Sequence, residues 1–143
     1  MSRIGSRRKA RQMALQMLFQ CEVGQHSSEH VLTTFFQGMD FKPEQEEFAR
    51  TLFGGTLGEL EKIDPVIRKH SEHWRLERMA AIDRNLLRLA VYELLHTPDT
   101  PPAVVINEAL ELAREFSTGE SVEFINGVLD AVRKALPPTP TSS

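Results

Sequence analysis

The chain of 143 residues holds one cysteine, Cys21. A lone thiol excludes an internal disulfide framework and any metal site built on several thiolates. Long apolar runs are missing as well, and no stretch approaches the roughly 18 residues that a membrane span requires. The basic N-terminus is not followed by the apolar core of a signal peptide, because Arg11, Gln12, Gln16 and Gln20 interrupt the stretch from Ala10 to Cys21. These absences point to the cytoplasm. No segment keeps the period-2 alternation of a strand, and no internal repeat is evident. Gly54-Gly55-Thr56-Leu57-Gly58 looks superficially like a phosphate loop but lacks the Gly-Lys-Ser/Thr that must follow. There is no GxSxG, and Cys21 falls on an apolar helical stripe, where a thiol acts as a small hydrophobe.

The most informative absence is acid. No Asp or Glu occurs before Glu22, whereas Arg3, Arg7, Arg8, Lys9 and Arg11 crowd the first eleven residues. The formal net charge of −3 therefore conceals a split: twelve of the 17 basic residues and all 20 acids lie beyond Arg11. A cationic head precedes an anionic body. Apolar residues at 41% and charged residues at 26% are an ordinary globular balance, so the length and composition describe one domain.

Helical periodicity organises the chain. Ser6 is placed to cap a first helix with Ala10, Met13, Ala14, Met17, Leu18 and Cys21 on its inner face, ended by Gly24. A short second helix spans about 29–37. Pro43 sits in the first turn of a third, which continues to Asp64, where Asp64-Pro65 restarts the chain. The strongest pattern runs from Leu76 to His96 and is stopped by Pro98. A sixth helix carries Val105, Ala109, Leu112 and Phe116, and Ser121 is placed to cap a seventh. The expectation is a single all-α domain of about seven helices over residues 1–136, with 1–6 a flexible basic arm and 137–143 a disordered Pro/Ser/Thr tail.

Few residues carry chemistry. His26 and His30, or His70 and His73, could share a helical face, but no third ligand accompanies either pair, and solvated surface histidines are the plainer reading. Carboxylates are scattered over helical faces. Neither a catalytic residue, a metal site nor a cofactor is expected. The basic head has two readings. Arg7 and Arg11 lie one helical turn apart with Arg8 about 100° away, and forked guanidiniums suit phosphates and bases; the same charges could equally be a solvated helix start. Phe116 and Phe124 flank the break at Ser117–Ser121, where helix-start N–H groups could meet a phosphate. Both rings could instead belong to the core.

Four blocks then bear a resemblance. ARQMALQMLF (10–19), RLAVYEL (88–94), VINEALELA (105–113) and FINGVLD (124–130) resemble, in order and spacing, the signatures of the NusB family of bacterial transcription antitermination factors. The likeness runs from about Arg7 to Leu136. It implies an all-helical RNA-binding protein that pairs with NusE, a small-subunit ribosomal protein, and binds the boxA element of nascent RNA. With NusA, NusG and RNA polymerase such a heterodimer forms an antitermination complex, notably on ribosomal RNA operons. The resemblance implies RNA contacts at Arg7, Arg8 and Arg11, aromatic contacts at Phe116 and Phe124, an affinity-tuning acid at Glu120, and a partner-facing acid at Asp83. Phe19 stands where relatives often carry Tyr, and Glu123 where a basic residue is common, so weak RNA binding without the partner is expected. A homodimer is a further possibility. The competing readings are a helical module that docks protein alone, and a helical domain detached from an rRNA cytosine methyltransferase.

Overall fold

A computed structural model describes residues 3–71 and 75–137, with backbone alone for residues 3–5. Among the described residues there are seven α-helices and no strand: α1 (Arg3–Glu22), α2 (Ser28–Thr34), α3 (Pro43–Gly58), α4 (Leu60–His70), α5 (Ala81–His96), α6 (Pro102–Phe116) and α7 (Gly119–Ala135). A single 3-10 turn, Leu76–Arg78, leads into α5.

Helix α5 is the axle. It packs against α1, α3, α4, α6 and α7, and its residues Leu86, Leu87, Leu89, Ala90 and Val91 are all nearly or fully buried. A helix that is apolar around most of its circumference must be surrounded, and that requirement sets the architecture. Helix α1 runs antiparallel to α5, since Arg11 meets Glu93 near one end while Glu22 meets Arg84 and Asn85 near the other. Its apolar stripe of Ala10, Met13, Ala14, Met17 and Leu18 enters the core as periodicity implies. Cys21 is half-buried against the same core, and burial pushes its thiol pKa up.

Several boundaries differ from the sequence reading, each for a local reason. Helix α1 already includes residues 3–6, so these are not a separate arm and Ser6 is not its cap. Of the tail, only Pro137 lies within the described residues. The break after α3 falls at Glu59 rather than at Asp64, and Pro65 lies inside α4. Asp64 does not cap a helix because Arg88 claims it: Nε and Nη2 donate to its two oxygens, each at 2.9 Å. Helix α5 starts at Ala81, since the chain from Leu76 first makes the 3-10 turn, whose carbonyls at Leu76 and Met79 accept from Arg84. At α7 it is Thr118 that caps, accepting from the Ser121 N–H at 3.2 Å.

Of the three glycines in α3, Gly55 serves a close helix contact. A Cβ at Gly55 would collide with the ring of Tyr92 on α5, whereas one at Gly54 would meet open space. At the other end of the α1–α5 contact, Glu22 is an electrostatic knot. Burial alone would raise its pKa, but hydrogen bonds from Arg84 and Asn85 and the charges of Arg84 and Arg88 outweigh that and hold it below the usual carboxylate value.

Two outcomes follow for stability. Gly55→Ala should destabilise by about 1–3 kcal/mol through overpacking, while Gly54→Ala should be neutral or stabilising by up to about 1 kcal/mol through helix propensity; paired urea melts decide. Because the folded-state pKa of Glu22 is depressed, its contribution is complete above the unfolded carboxylate value and is lost as pH falls below it. Glu22→Gln should therefore be less stable than the parent at pH 7, with the gap closing as pH is lowered through the carboxylate range.

Candidate nucleic-acid interface

The cationic head lies on the first half of α1, but its charges are not equivalent. Arg11 is 4% exposed. Its Nε and Nη2 donate to the two oxygens of Glu93 at 2.8 and 2.9 Å, and Nη1 lies 3.8 Å from Glu108. Arg8 forks onto Glu108 in the same way, Nε at 3.0 Å and Nη2 at 2.7 Å, yet its side chain keeps 45% exposure against 3% for Glu108. The four groups form a chain, Arg8–Glu108–Arg11–Glu93, with no net charge. The hydrogen bonds and the charge of Glu108 hold the Arg8 guanidinium still more firmly protonated than usual, with lesser help from Glu111 and Glu115 on the outer side of α6.

Arg11 is therefore not at a surface that a phosphate could reach, contrary to its expected place beside Arg7 and Arg8. The physical reason is the pair of carboxylates buried on α5 and α6, whose oxygens need donors that burial denies them from water. Sequence reasoning missed Glu93 and Glu108, although a signal was present. Glu93 follows Leu89 by four residues, and Glu108 sits between Val105 and Leu112, so both acids occupy the inner stripe of otherwise apolar helices.

Arg7 is exposed and lies over the ring of Phe48 from α3, with Cζ 4.7 Å from the ring centroid. Phe48 was not singled out from the sequence either. Lys9 is exposed, and the side chain of Arg3 lies outside the described residues. Among the described side chains, the outward cations of the head are thus Arg7, Lys9 and one edge of Arg8.

The aromatics lie further along. Helix α6 runs in the same direction as α1, with Glu108 beside Arg8 and Phe116 beside Leu15, Gln16, Phe19 and Gln20 in a cleft of about 250 Å³. Phe124 lines a second cleft of about 240 Å³ with Arg78, Met79, Thr118, Glu120 and Ser121. Both rings are half-buried with one part packed on the core, so each of the two sequence readings describes part of each ring. Glu120 is exposed in the first turn of α7. Arg78, exposed on the rim beside Phe124, is a cation that no motif pointed to. From Arg8 to Phe19 is eleven residues of α1, roughly 16 Å at 1.5 Å per residue. A ligand spanning both ends must be extended.

Asp83 joins the α6–α7 junction to α5. It is 7% exposed and accepts from Ser117 Oγ at 2.6 Å and Ser121 Oγ at 2.7 Å. The expected partner-facing acid is thus a latch beneath the loop, because the Ser117–Ser121 segment folds back over the start of α5. Near the start of that helix its charge also faces a favourable dipole end. His26 and His30 stack at 4.7 Å on the surface, His73 lies outside the described residues, and among the described residues no group of three potential metal ligands comes together.

Comparison with known proteins places these features in a family. The NusB family profile matches residues 8–134. The transcription antitermination protein NusB of Koribacter versatilis is 54% identical over 133 residues, covering 92% of this chain and 91% of that protein. The solved structure of T. maritima NusB superposes with a TM-score of 0.83 at 37% identity, covering 92% of this chain and 93% of that one. A NusB solved with NusE and double-stranded RNA superposes with a TM-score of 0.82 at 26% identity, covering 92% and 98%.

The buried ion chain makes a stability prediction independent of any ligand. Arg11→Ala should cost about 3–5 kcal/mol by stranding Glu93, whereas Arg11→Met combined with Glu93→Leu should recover most of that loss. Denaturant midpoints of the three proteins test it, and an Arg11→Ala loss below about 1 kcal/mol would refute the counter-ion role.

Proposed function

The chain belongs to the NusB family, and on that premise we propose that it binds single-stranded boxA RNA together with a NusE-type ribosomal protein. Its relatives are transcription antitermination proteins, and it is not an enzyme. In the proposed role the heterodimer nucleates an assembly with NusA, NusG and RNA polymerase that suppresses premature termination, notably on rRNA operons.

The observation that carries the reading is the likeness to a NusB whose solved complex contains both NusE and double-stranded RNA, set beside an extended surface whose aromatic clefts suit unstacked bases. Arg7 and Arg8 would hold phosphates at one end, and Phe116 and Phe124 would offer ring edges or faces to unstacked bases at the other. Arg11 would act from within, by fixing the carboxylates on which Arg8 rests. Glu120 would lower affinity near Phe124 by repelling phosphates. Asp83 would set the spacing of the two aromatics through Ser117 and Ser121, and the outer surface of α6, where Arg114 pairs Glu111 and leaves Glu115 as the net charge, would favour a basic protein partner. With two head arginines neutralised internally, the RNA affinity of the chain alone should be low and the partner should raise it.

One observation favours a second reading. Arg8 and Arg11 face buried acids, so part of the cationic head has a structural purpose, as a module that docks protein alone would require. A titration separates the two. Fluorescence anisotropy with a boxA-containing single-stranded RNA should show tighter binding than a scrambled sequence, and more so with the NusE-type protein present. Equal affinity for both sequences in the heterodimer would leave the protein-docking reading. Phe124→Ala should weaken binding by about 1–3 kcal/mol if a base stacks on the ring, with its thermal melt recorded alongside.

A further inference from the structure

The Arg8–Glu108 pair presents an electrostatic puzzle: a carboxylate lies directly behind an arginine that faces the proposed RNA surface. We propose that Glu108 is a positioning residue that presents Arg8 as a preorganised phosphate fork, and that its negative charge aids RNA binding instead of opposing it. This inference rests on the RNA-binding reading above.

The argument is geometric. A guanidinium can donate in pairs along its Nε/Nη2 side and also at its Nη1/Nη2 end. In Arg8 the side edge is occupied, at 3.0 and 2.7 Å, by Glu108. The end edge takes no part in that fork, and the side chain is 45% exposed. Glu108 itself cannot swing, being 3% exposed, within reach of Arg11 on its other side, and rooted in a helix whose neighbouring residues are core. Arg8 is therefore held by a fixed anchor rather than by another mobile surface chain. A long side chain normally loses rotamer freedom when it grips a ligand. Here that loss has already been met on folding, so less is lost when a phosphate arrives.

A competing outcome can be imagined, in which phosphate pulls Arg8 away from Glu108. The burial argues against it. Abandoning a nearly buried carboxylate costs more than a solvated phosphate contact returns, and the 3.8 Å approach of Arg11 is too long to replace a bidentate fork. The phosphate should add to the fork instead of replacing Glu108.

The sign of one substitution distinguishes the two. Glu108→Gln makes the protein one unit more positive, so long-range electrostatics alone predicts tighter RNA binding. The positioning role predicts weaker binding, by about five- to tenfold, the scale of one net hydrogen bond. It also predicts a log–log salt slope shallower by about 0.7, the loss of one phosphate on a single strand. The measurement is anisotropy of the boxA-containing RNA with the full chain, with and without the NusE-type protein, across salt. Arg8→Lys keeps the charge but not the fork and should show a comparable loss. Combining Glu108→Gln with Arg8→Ala should be no worse than Arg8→Ala alone.

If Glu108→Gln binds as tightly as the parent or tighter while still folded by circular dichroism, the proposal is overturned. If that variant fails to fold, Arg8→Lys decides: parental affinity overturns the proposal, and loss with a flatter salt slope supports it. A parent that binds boxA and scrambled RNA alike defeats the boxA reading, whereas a parent that discriminates with an unaffected Glu108→Gln defeats only the positioning role.

Discussion

Two carboxylates, Glu93 on α5 and Glu108 on α6, are 2% and 3% exposed, and the placement of α1 depends on giving them hydrogen-bonded partners. An isolated buried carboxylate would protonate or expel its helix from the core. Both are retained because α1 lays two arginines across them, at positions three residues apart that share a helical face. That requirement fixes the register of α1 against α5 and α6 more stringently than apolar packing does. A leucine stripe tolerates a sliding shift, but two forked guanidinium–carboxylate pairs do not. At the far end of α1, Glu22 meets Arg84, Asn85 and Arg88 with the polarity reversed, acid on α1 and base on α5. The helix is thus pinned at both ends by opposite charges, which also makes the antiparallel pairing directional.

The helical content of this fold was legible because its strongest signals are local. Apolar residues at i, i+3 and i+4, prolines at helix starts and a proline after His96 all act within one or two turns. What was not legible depended on contacts distant in sequence. Asp64 reads as a cap until Arg88, 24 residues away, takes both its oxygens. Ser121 reads as a cap until Asp83 takes its hydroxyl and leaves the capping to Thr118. Side chains that satisfy helix ends locally are the same ones that answer to a buried partner, and sequence spacing cannot rank those two uses.

The candidate site was legible in its residue types and only partly in their roles. Arg7 and Arg8 are at the surface, and Phe116 and Phe124 line open clefts. Arg11 and Asp83 turned inward, and in both cases the missing information was a polar group on another helix. A charge run reads as exposed because most are, yet five cations without an acid can also mean that the matching acids are buried elsewhere. Glu93 and Glu108 were written into the apolar stripes of α5 and α6. Two acids on inner faces and surplus arginines on α1 are one fact seen from two places.

This changes what the charge asymmetry of the chain means for function. Counting five head cations overstates the field that an RNA meets, because the pairs with Glu93 and Glu108 cancel two of them, and Glu111 and Glu115 lie close to Arg8. In the proposed role, a head with two of its arginines already paired gains less from non-specific attraction, whose strength scales with the number of phosphates neutralised. In that role it would gain its affinity from placement: an arginine whose direction is already fixed, the Phe116 ring in the cleft beside Phe19, roughly 16 Å along α1 from Arg8, and a second protein that completes the contact. Weak attraction and strong placement together favour discrimination between RNA sequences over tight binding to any of them, because a misplaced strand has little residual charge to hold it. On this view the buried acids do more than dock α1. In the proposed role they would also keep the surface from becoming a general polyanion trap.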